Sequence, residues 1–567
     1  MELEGCREKI ISQDYWDFII PGYRRDQEIL SSPERFCVQE AGLGYRIVSV
    51  DGRTAGDLTF ENYGYPSIPQ CYGLLDMDAL NETGISTVQN YPALNLDGRG
   101  IMIGLVDTGI DYTNEIFQNP DGTTRIVGIW DQTIQTGRPP EGFFYGTEYT
   151  QRQINEALRS EEPEEVVPSR DENSHGTFLA SIAAGSPVNE ERFSGAAPAA
   201  AIGVVKLKEA KDYLKEFYAI KPEAVCYQEN DIMQGLNYLN RLAEEKGLPL
   251  VLCIALGTTF GGHNGGSLLS RILREYANTI DRCVVIGGGN EAAYRHHYFG
   301  RLDSAGSVRE AEIRVEDGVE GFAAEVWTTL PNIVTAYLVS PSGEKSPVIS
   351  LRQGSMYRLN FPFDGTQVDV EYRLLIENED SQLIFFRFQN PAGGIWKIGV
   401  EAIQISEGEF HIWLPLQDFL SGEVYFLEAD PNTTLTEPGS TEEAITVAFY
   451  NGEDKGVDIH SGRGYTRGGL IKPDFAVPGV DITGLGPKGR FVKRTGSSAA
   501  VGITAGASAL IMQWLGEQPM TMGITTSAVA GIIILGTEQD NFLEYPNREW
   551  GYGRMNVYQS LDRLRRL

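Results

Sequence analysis

The chain has little of what holds a small secreted domain together. Its 567 residues include only six cysteines. None of Cys6, Cys37, Cys71, Cys226, Cys253 and Cys283 forms a CxxC pair or a zinc-like spacing. Cys253 and Cys283 lie in the apolar runs LVLCIAL and RCVVIGG, where thiols serve as core residues. The pattern suits a reducing compartment or a disulfide-free protein. Basic residues are also scarce: 47 Lys and Arg face 78 Asp and Glu, a formal charge of −31. That argues against nucleic acid and membrane surfaces as partners. No apolar run reaches the roughly 18 residues that cross a bilayer. The opening MELEGCREKIISQ lacks the basic and apolar blocks of a signal peptide. There is no internal repeat and no low-complexity tract.

What is present is ample apolar material, 41% of the chain, arranged in two alternating styles. From Gly98 to about Gly300 buried-strand signals alternate with helical ones. GIMIGLVD, AAIGVVKL, LPLVLCIALG and RCVVIGGGNE read as strands. HGTFLASIAAG, NDIMQGLNYLNRLAEEKG and SLLSRILREYANT read as helices. Such alternation predicts a parallel sheet with helices on both faces, and functional residues at the carboxyl ends of its strands. Between about residues 301 and 443 short alternating runs replace it, with turns every 8–12 residues, as in a sandwich or jelly roll. Strand and helix signals resume at EAITVAFYN, so the β segment is an insertion. A Gly- and Pro-containing break near residues 60–72 sets off an N-terminal module, in which only YRIVSV reads clearly as a strand.

Chemistry concentrates in three Gly-marked frames. Asp107 ends the strand of GLVDTGIDY. His175 opens the helix of NSHGTFLAS. Ser498 opens the helix of TGSSAAVGITAG. Each alone has an ordinary explanation: a loop cap or metal ligand for the Asp, a capping or core residue for the His, a small-residue packing face for the Ser. Together, in the order Asp, His, Ser, they form one known order of a serine-nucleophile triad. A buried carboxylate needs a partner, and orienting an imidazole supplies one. Asn290 in VVIGGGNEA offers a side-chain donor for an oxyanion, or is simply a turn residue after glycines. His296 and His297 in YRHHY invite a metal reading, but no carboxylate or thiol completes the spacing; a loop without metal is expected.

At these residues the chain resembles the subtilisin-like serine proteases. The resemblance implies Asp107 as orienting acid, His175 as general base, Ser498 as nucleophile and Asn290 as oxyanion donor. It covers most of residues 98–300 and 444–560, including GAAPAAAIGVVKL, KPDFAVPGVDITG and GYGRMNV. It further implies substrate contacts at Ala255, Leu256, Gly257, Gly288 and Gly289, and an edge strand at Tyr227, Gln228 and Glu229 that pairs with extended substrate. TTRIVGIWDQT, GFFYGTEYT, NYGYPSIPQCYGLLD and the β insertion are similar to the clostridial spore-germination proteases. That likeness implies an inserted jelly roll and a small N-terminal α/β prodomain over residues 1–70. It implies self-cleavage near Gln70 and Cys71, and the prodomain as intramolecular inhibitor. The catalytic domain would span 71–300 and 444–567, with the jelly roll at 301–443. No cofactor is implied; structural calcium is common in the family, with no ligand set assignable here. The setting implied is bacterial, cytoplasmic or spore-associated. Two departures stand out: Ser497 replaces the usual Thr, and Val501, Gly502 and Ile503 replace the usual Ser-Pro-His.

Two functions follow from this. One is an endopeptidase cutting a protein substrate at a limited number of sites, such as a germination zymogen. The other is a regulatory or binding protein that acts through the jelly roll and uses catalysis only for self-processing.

Overall fold

The computed structural model describes residues 2–22, 36–74, 83–90, 96–349, 356–376, 379–518 and 523–565. Its centre is built from the most apolar strands. β5 (Met102–Asp107), β6 (Ile126–Asp131), β10 (Leu250–Ile254), β12 (Arg282–Gly287) and β23 (Ile445–Tyr450) are buried throughout. With β7 (Thr147–Thr150), β8 (Ala201–Lys206) and β24 (Phe475–Pro478) they form an eight-stranded sheet in the order β24-β23-β12-β10-β5-β8-β6-β7. All pairs are parallel except the edge pair β6–β7. Residues buried on both faces of a sheet demand helical cover on both.

α2 (His175–Ala184) and α5 (Ser497–Gly516) cover one face; α3 (Glu229–Lys246) and α4 (Leu268–Asn278) cover the other. α5 is long and apolar enough to cross a membrane, but 83% of its most apolar window is buried inside the protein. It is the helical spine of the core. α3 begins at Glu229, one residue before the Asn–Asp start signal, and stops at Gly247 in the left-handed conformation.

The N-terminal module holds more structure than its periodicity suggested. α1 (Glu2–Ile11) packs on a three-stranded antiparallel sheet of β1 (Tyr15–Pro21), β3 (Tyr45–Asp51) and β2 (Phe36–Gly42), in that spatial order. Ile10, Ile19, Ala41 and Ile47 turn their apolar sides to α3 and join its core cluster. The expectation of a disulfide-free chain is corrected here: Cys6 on α1 and Cys37 on β2 are bonded. Their separation of 31 residues carries no recognisable spacing; the packing of α1 on β2 brings them together.

The insertion is a sandwich of two antiparallel sheets, β13-β21-β15-β19-β18-β17 and β16-β20-β14-β22. These strands are β13 (His297–Arg301), β14 (Val308–Val315), β15 (Gly321–Thr329), β16 (Ile333–Val339), β17 (Met356–Phe361), β18 (Thr366–Ile376), β19 (Glu379–Gln389), β20 (Gly394–Gln404), β21 (Glu409–Trp413) and β22 (Val424–Phe426). Trp396, Phe322, Phe386, Phe388 and Ile398 fill the space between the sheets. The first strand starts at His297, four residues before the expected boundary.

Candidate active site

The three frames converge. β5 ends at Asp107; His175 and Ser498 sit in the first turns of α2 and α5. His175 Nδ1 lies 2.7 Å and 2.9 Å from the two Asp107 carboxylate oxygens, and its Nε2 lies 2.9 Å from Ser498 Oγ. Asp107 and Ser498 are fully buried and His175 is 2% exposed. With Asp107 accepting, Nδ1 carries the proton and Nε2 is left as the acceptor facing the Ser498 hydroxyl. Asp107 Oδ1 also accepts from the Thr108 N–H at 2.7 Å.

The meeting of β5 and α2 depends on close approach. A Cβ on Gly176 would lie 2.2 Å from the Gly109 carbonyl oxygen, so only glycine fits after the imidazole. A hub that sequence reading passed over fixes this junction. Asp171 Oδ1 accepts from Thr108 Oγ1 at 2.7 Å and from the Ser174 N–H at 2.8 Å. Its Oδ2 accepts from the Thr177 N–H at 2.8 Å and the Thr177 hydroxyl at 2.7 Å. The signal was there: an acid four residues before a helix-opening His is well placed to cap that helix.

Asn290 follows β12 and faces the start of α5. Its Oδ1 accepts from the Ser497 N–H at 3.0 Å. A donor on that side requires the carboxamide oxygen there, which leaves the NH₂ group as the donating end of the side chain. Ser497, the first departure, is thus used through its backbone. The second departure, Val501–Ile503, lies buried within α5, where a Cβ on Gly502 would make only ordinary to tight contact with Leu179 and Ile182.

The expected edge strands also come together, around the chain's own N-terminal segment. β4 (Cys71–Leu74) runs between β9 (Tyr227–Gln228) and β11 (Leu256–Gly257) in a three-stranded antiparallel sheet. Cys71 pairs with Gln228, Tyr72 with Tyr227, Gly73 with Gly257 and Leu74 with Leu256. Ala255 is buried between β10 and β11. Gln70 and Cys71 lie at the far end of this strand: the Glu229 N–H donates to the Gln70 carbonyl at 2.9 Å. Leu74 is at the near end, lining with Asn290, Glu291, Tyr294 and Asn173 a cavity of about 400 Å3. Leu75 and Asp76 lie outside the described residues.

Tyr72 is fully buried, and its hydroxyl reaches 3.5 Å from Glu229 Oε1. Burial pushes the Glu229 carboxyl up to about 7, against hydrogen bonds from the Gln70 and Leu269 N–H groups. Gly288 and Gly289 are held from the return segment after the sandwich. The Thr436 N–H donates to the Gly288 carbonyl and the Gly462 N–H to the Gly289 carbonyl. The Thr436 side chain lies between the two glycine walls, within 2.5 Å of where a Cβ on either Gly257 or Gly289 would stand.

The His296–His297 loop expected from sequence is instead a buried strand start. His296 Nδ1 lies 2.7 Å from Glu291, and His297 Nε2 lies 2.9 Å from His411 Nδ1. Among the described residues no group of three or more His, Cys, Asp and Glu is placed to hold a metal.

The sequence matches the subtilase family (Peptidase S8) over residues 98–312 and 420–553, more than half of the chain. The chain belongs to the subtilase family. The unmatched gap between the two stretches, residues 313–419, falls within the sandwich. The subtilase is similar in structure to the CspB protease of Clostridium perfringens, with a TM-score of 0.75 and 28% identity, over 86% of this chain and 98% of that one. A search of curated proteins gave no match. The subtilase is therefore a subtilisin-type serine peptidase, a hydrolase acting on protein substrates.

Proposed function

We propose that the enzyme is a self-processing endopeptidase with Ser498 as nucleophile, His175 as general base and Asp107 as the group that orients and stabilises the imidazole. The observation that carries this is the unbroken hydrogen-bonded chain Asp107–His175–Ser498. His175 takes the Ser498 proton as Oγ attacks the carbonyl carbon. The Asn290 NH₂ group and the Ser498 N–H hold the tetrahedral oxyanion. The imidazolium then protonates the leaving amine, and water repeats the cycle on the acyl-enzyme.

Substrate lies as a strand between β9 and β11. What supports this is β4, which already lies there. The same register supports self-cleavage C-terminal to Leu74 instead of between Gln70 and Cys71, because the chain runs from Glu229 toward Asn290 along β4. The N-terminal module then remains docked as an intramolecular inhibitor. Phe60 and Tyr65 insert into an aromatic cluster with Phe217, Tyr218, Phe385, Trp327 and Trp413. Buried Glu325 of the sandwich accepts from Tyr65 at 3.0 Å, from Trp327 at 2.9 Å and from the Gly261 N–H at 2.9 Å. The jelly-roll insertion thus serves as a clamp.

The biological role we infer is limited cleavage of one protein substrate, in or on a bacterial spore, in keeping with the likeness to germination proteases. The filled groove favours a second reading, a regulator whose catalysis ends with self-processing. Intact mass of the wild type beside Ser498→Ala tests the first step. Fragments from a cut just beyond Leu74 in the wild type alone support the triad; two uncut chains would sink it. Turnover of peptides by the processed enzyme then separates protease from regulator, and cleavage of unfolded casein at many sites would count against a limited substrate range.

A further inference from the structure

Cys71 and Cys226 meet at the edge of the groove. Cys71 opens β4, and Cys226 immediately precedes β9. Because Cys71 pairs with Gln228 and Tyr72 with Tyr227, Cys71 and Cys226 stand on one face, one diagonal step apart. Both are free thiols and both residues are fully buried. The remaining free thiols, Cys253 and Cys283, are buried in the central sheet. Neither the triad nor the strand pairing requires a thiol at position 71 or 226.

We propose that Cys71 and Cys226 form a reversible disulfide that tethers the cleaved N-terminal segment in the substrate groove, so that opening of the groove is under redox control. This rests on the proposed cut C-terminal to Leu74, which leaves Cys71 on the N-terminal piece and Cys226 on the body. A cut between Gln70 and Cys71 would leave both on one piece and tether nothing.

The oxidant is a low-molecular-weight disulfide. One cysteine thiolate attacks it, forming a mixed disulfide and expelling one small thiolate. The second cysteine thiolate attacks the mixed disulfide and expels the other. Two protein thiols are oxidised, one small disulfide is reduced to two thiols, and the two cysteine protons end on those thiols. A reducing dithiol reverses the reaction. Diagonal cross-strand partners have Cα atoms about 7–8 Å apart, and a disulfide spans up to about 6.8 Å. Forming the bond requires the two strands to close by about an ångström. The facing Cys226 thiol and burial hold the Cys71 thiol well above its ordinary value, so the docked pair exchanges slowly. Exchange runs when β4 lifts. Once formed, the tether keeps the segment at an effective concentration of about millimolar.

The test uses the full-length chain after self-processing, treated with oxidised glutathione or with dithiothreitol, alkylated and run under denaturing conditions. The expected wild type runs as one linked species when oxidised and as two pieces when reduced. Cys226→Ser and Cys71→Ser give two pieces in both. Peptide hydrolysis rises about tenfold or more on reduction of the wild type and is redox-insensitive in the variants. Cys6 and Cys37 both lie on the N-terminal piece, so their bond cannot link the two. Two separate pieces from oxidised wild type, or linked pieces in Cys226→Ser, would overturn the proposal. If reduced wild type shows no cut at all, the self-processing reading has failed instead. Peptide mapping of alkylated cysteines then still decides whether Cys71 and Cys226 pair.

Discussion

Asp171 accepts the Thr108 hydroxyl at 2.7 Å and thereby ties the strand end that carries Asp107 to the helix that carries His175. The same carboxylate takes both donors of Thr177. It touches none of the reacting atoms, so its effect is on position. Asp171→Asn places an amide NH₂ against donors that need an acceptor. We expect kcat to fall about 10²-fold with KM little changed, measured on a peptide substrate with the processed enzyme.

Asn290→Ala removes the side-chain donor and leaves Asp107–His175–Ser498 in place. The expected loss is about 10²–10³ in kcat, with little change in KM. An equal loss in binding would point to a structural role for Asn290 through the Ser497 N–H.

Phe60 anchors the N-terminal module. It is fully buried, with ring centroids 5.2 Å from Phe217 and 5.0 Å from Phe385. Phe60→Ala should weaken the hold on the module by about 3–5 kcal/mol. The readout is dissociation of the N-terminal piece under native, reducing conditions. A module held as tightly as in the wild type would contradict the clamp.

Acid should loosen the seam between sandwich and catalytic domain. His263 and His297 stack on Trp413 at 4.1 Å and 4.9 Å, and His411 lies 5.1 Å from it. Burial holds His263 down to about 3 and His297 down to about 4, and holds His411 well below its usual range. Arg467 presses His263 and His411 the same way, while Asp430 partly restores His297. Each folded value lies below the unfolded 6.5. The stability these neutral rings contribute is therefore complete above pH 6.5 and declines as pH falls toward 4, by about 1.4 kcal/mol per pH unit for each proton taken up on unfolding. Tm measured from pH 7.5 to 4.5 should fall, and fall less steeply in His411→Phe.

The parallel sheet was legible in the sequence by itself, and so were the local frames of Asp107, His175, Ser498 and Asn290, which the fold brings together. Strands buried on both faces must be continuously apolar, and strand-end and helix-start residues carry their glycine frames beside them. Those signals are local. The capping position of Asp171 before His175 was legible, but its tie to Thr108 was not, since Thr108 and Thr177 belong to two different elements. The N-terminal module was largely illegible, because its strands are half-buried and take their partner surface from α3. Only the tertiary structure decided which cysteines are neighbours: Cys6 with Cys37 across a helix and a strand, and Cys71 with Cys226 on one face of the paired β4 and β9. It alone placed β4 between β9 and β11, and with it the direction in which the chain approaches Asn290. Register between distant strands is set by the packing of whole layers, and no short stretch of sequence encodes it.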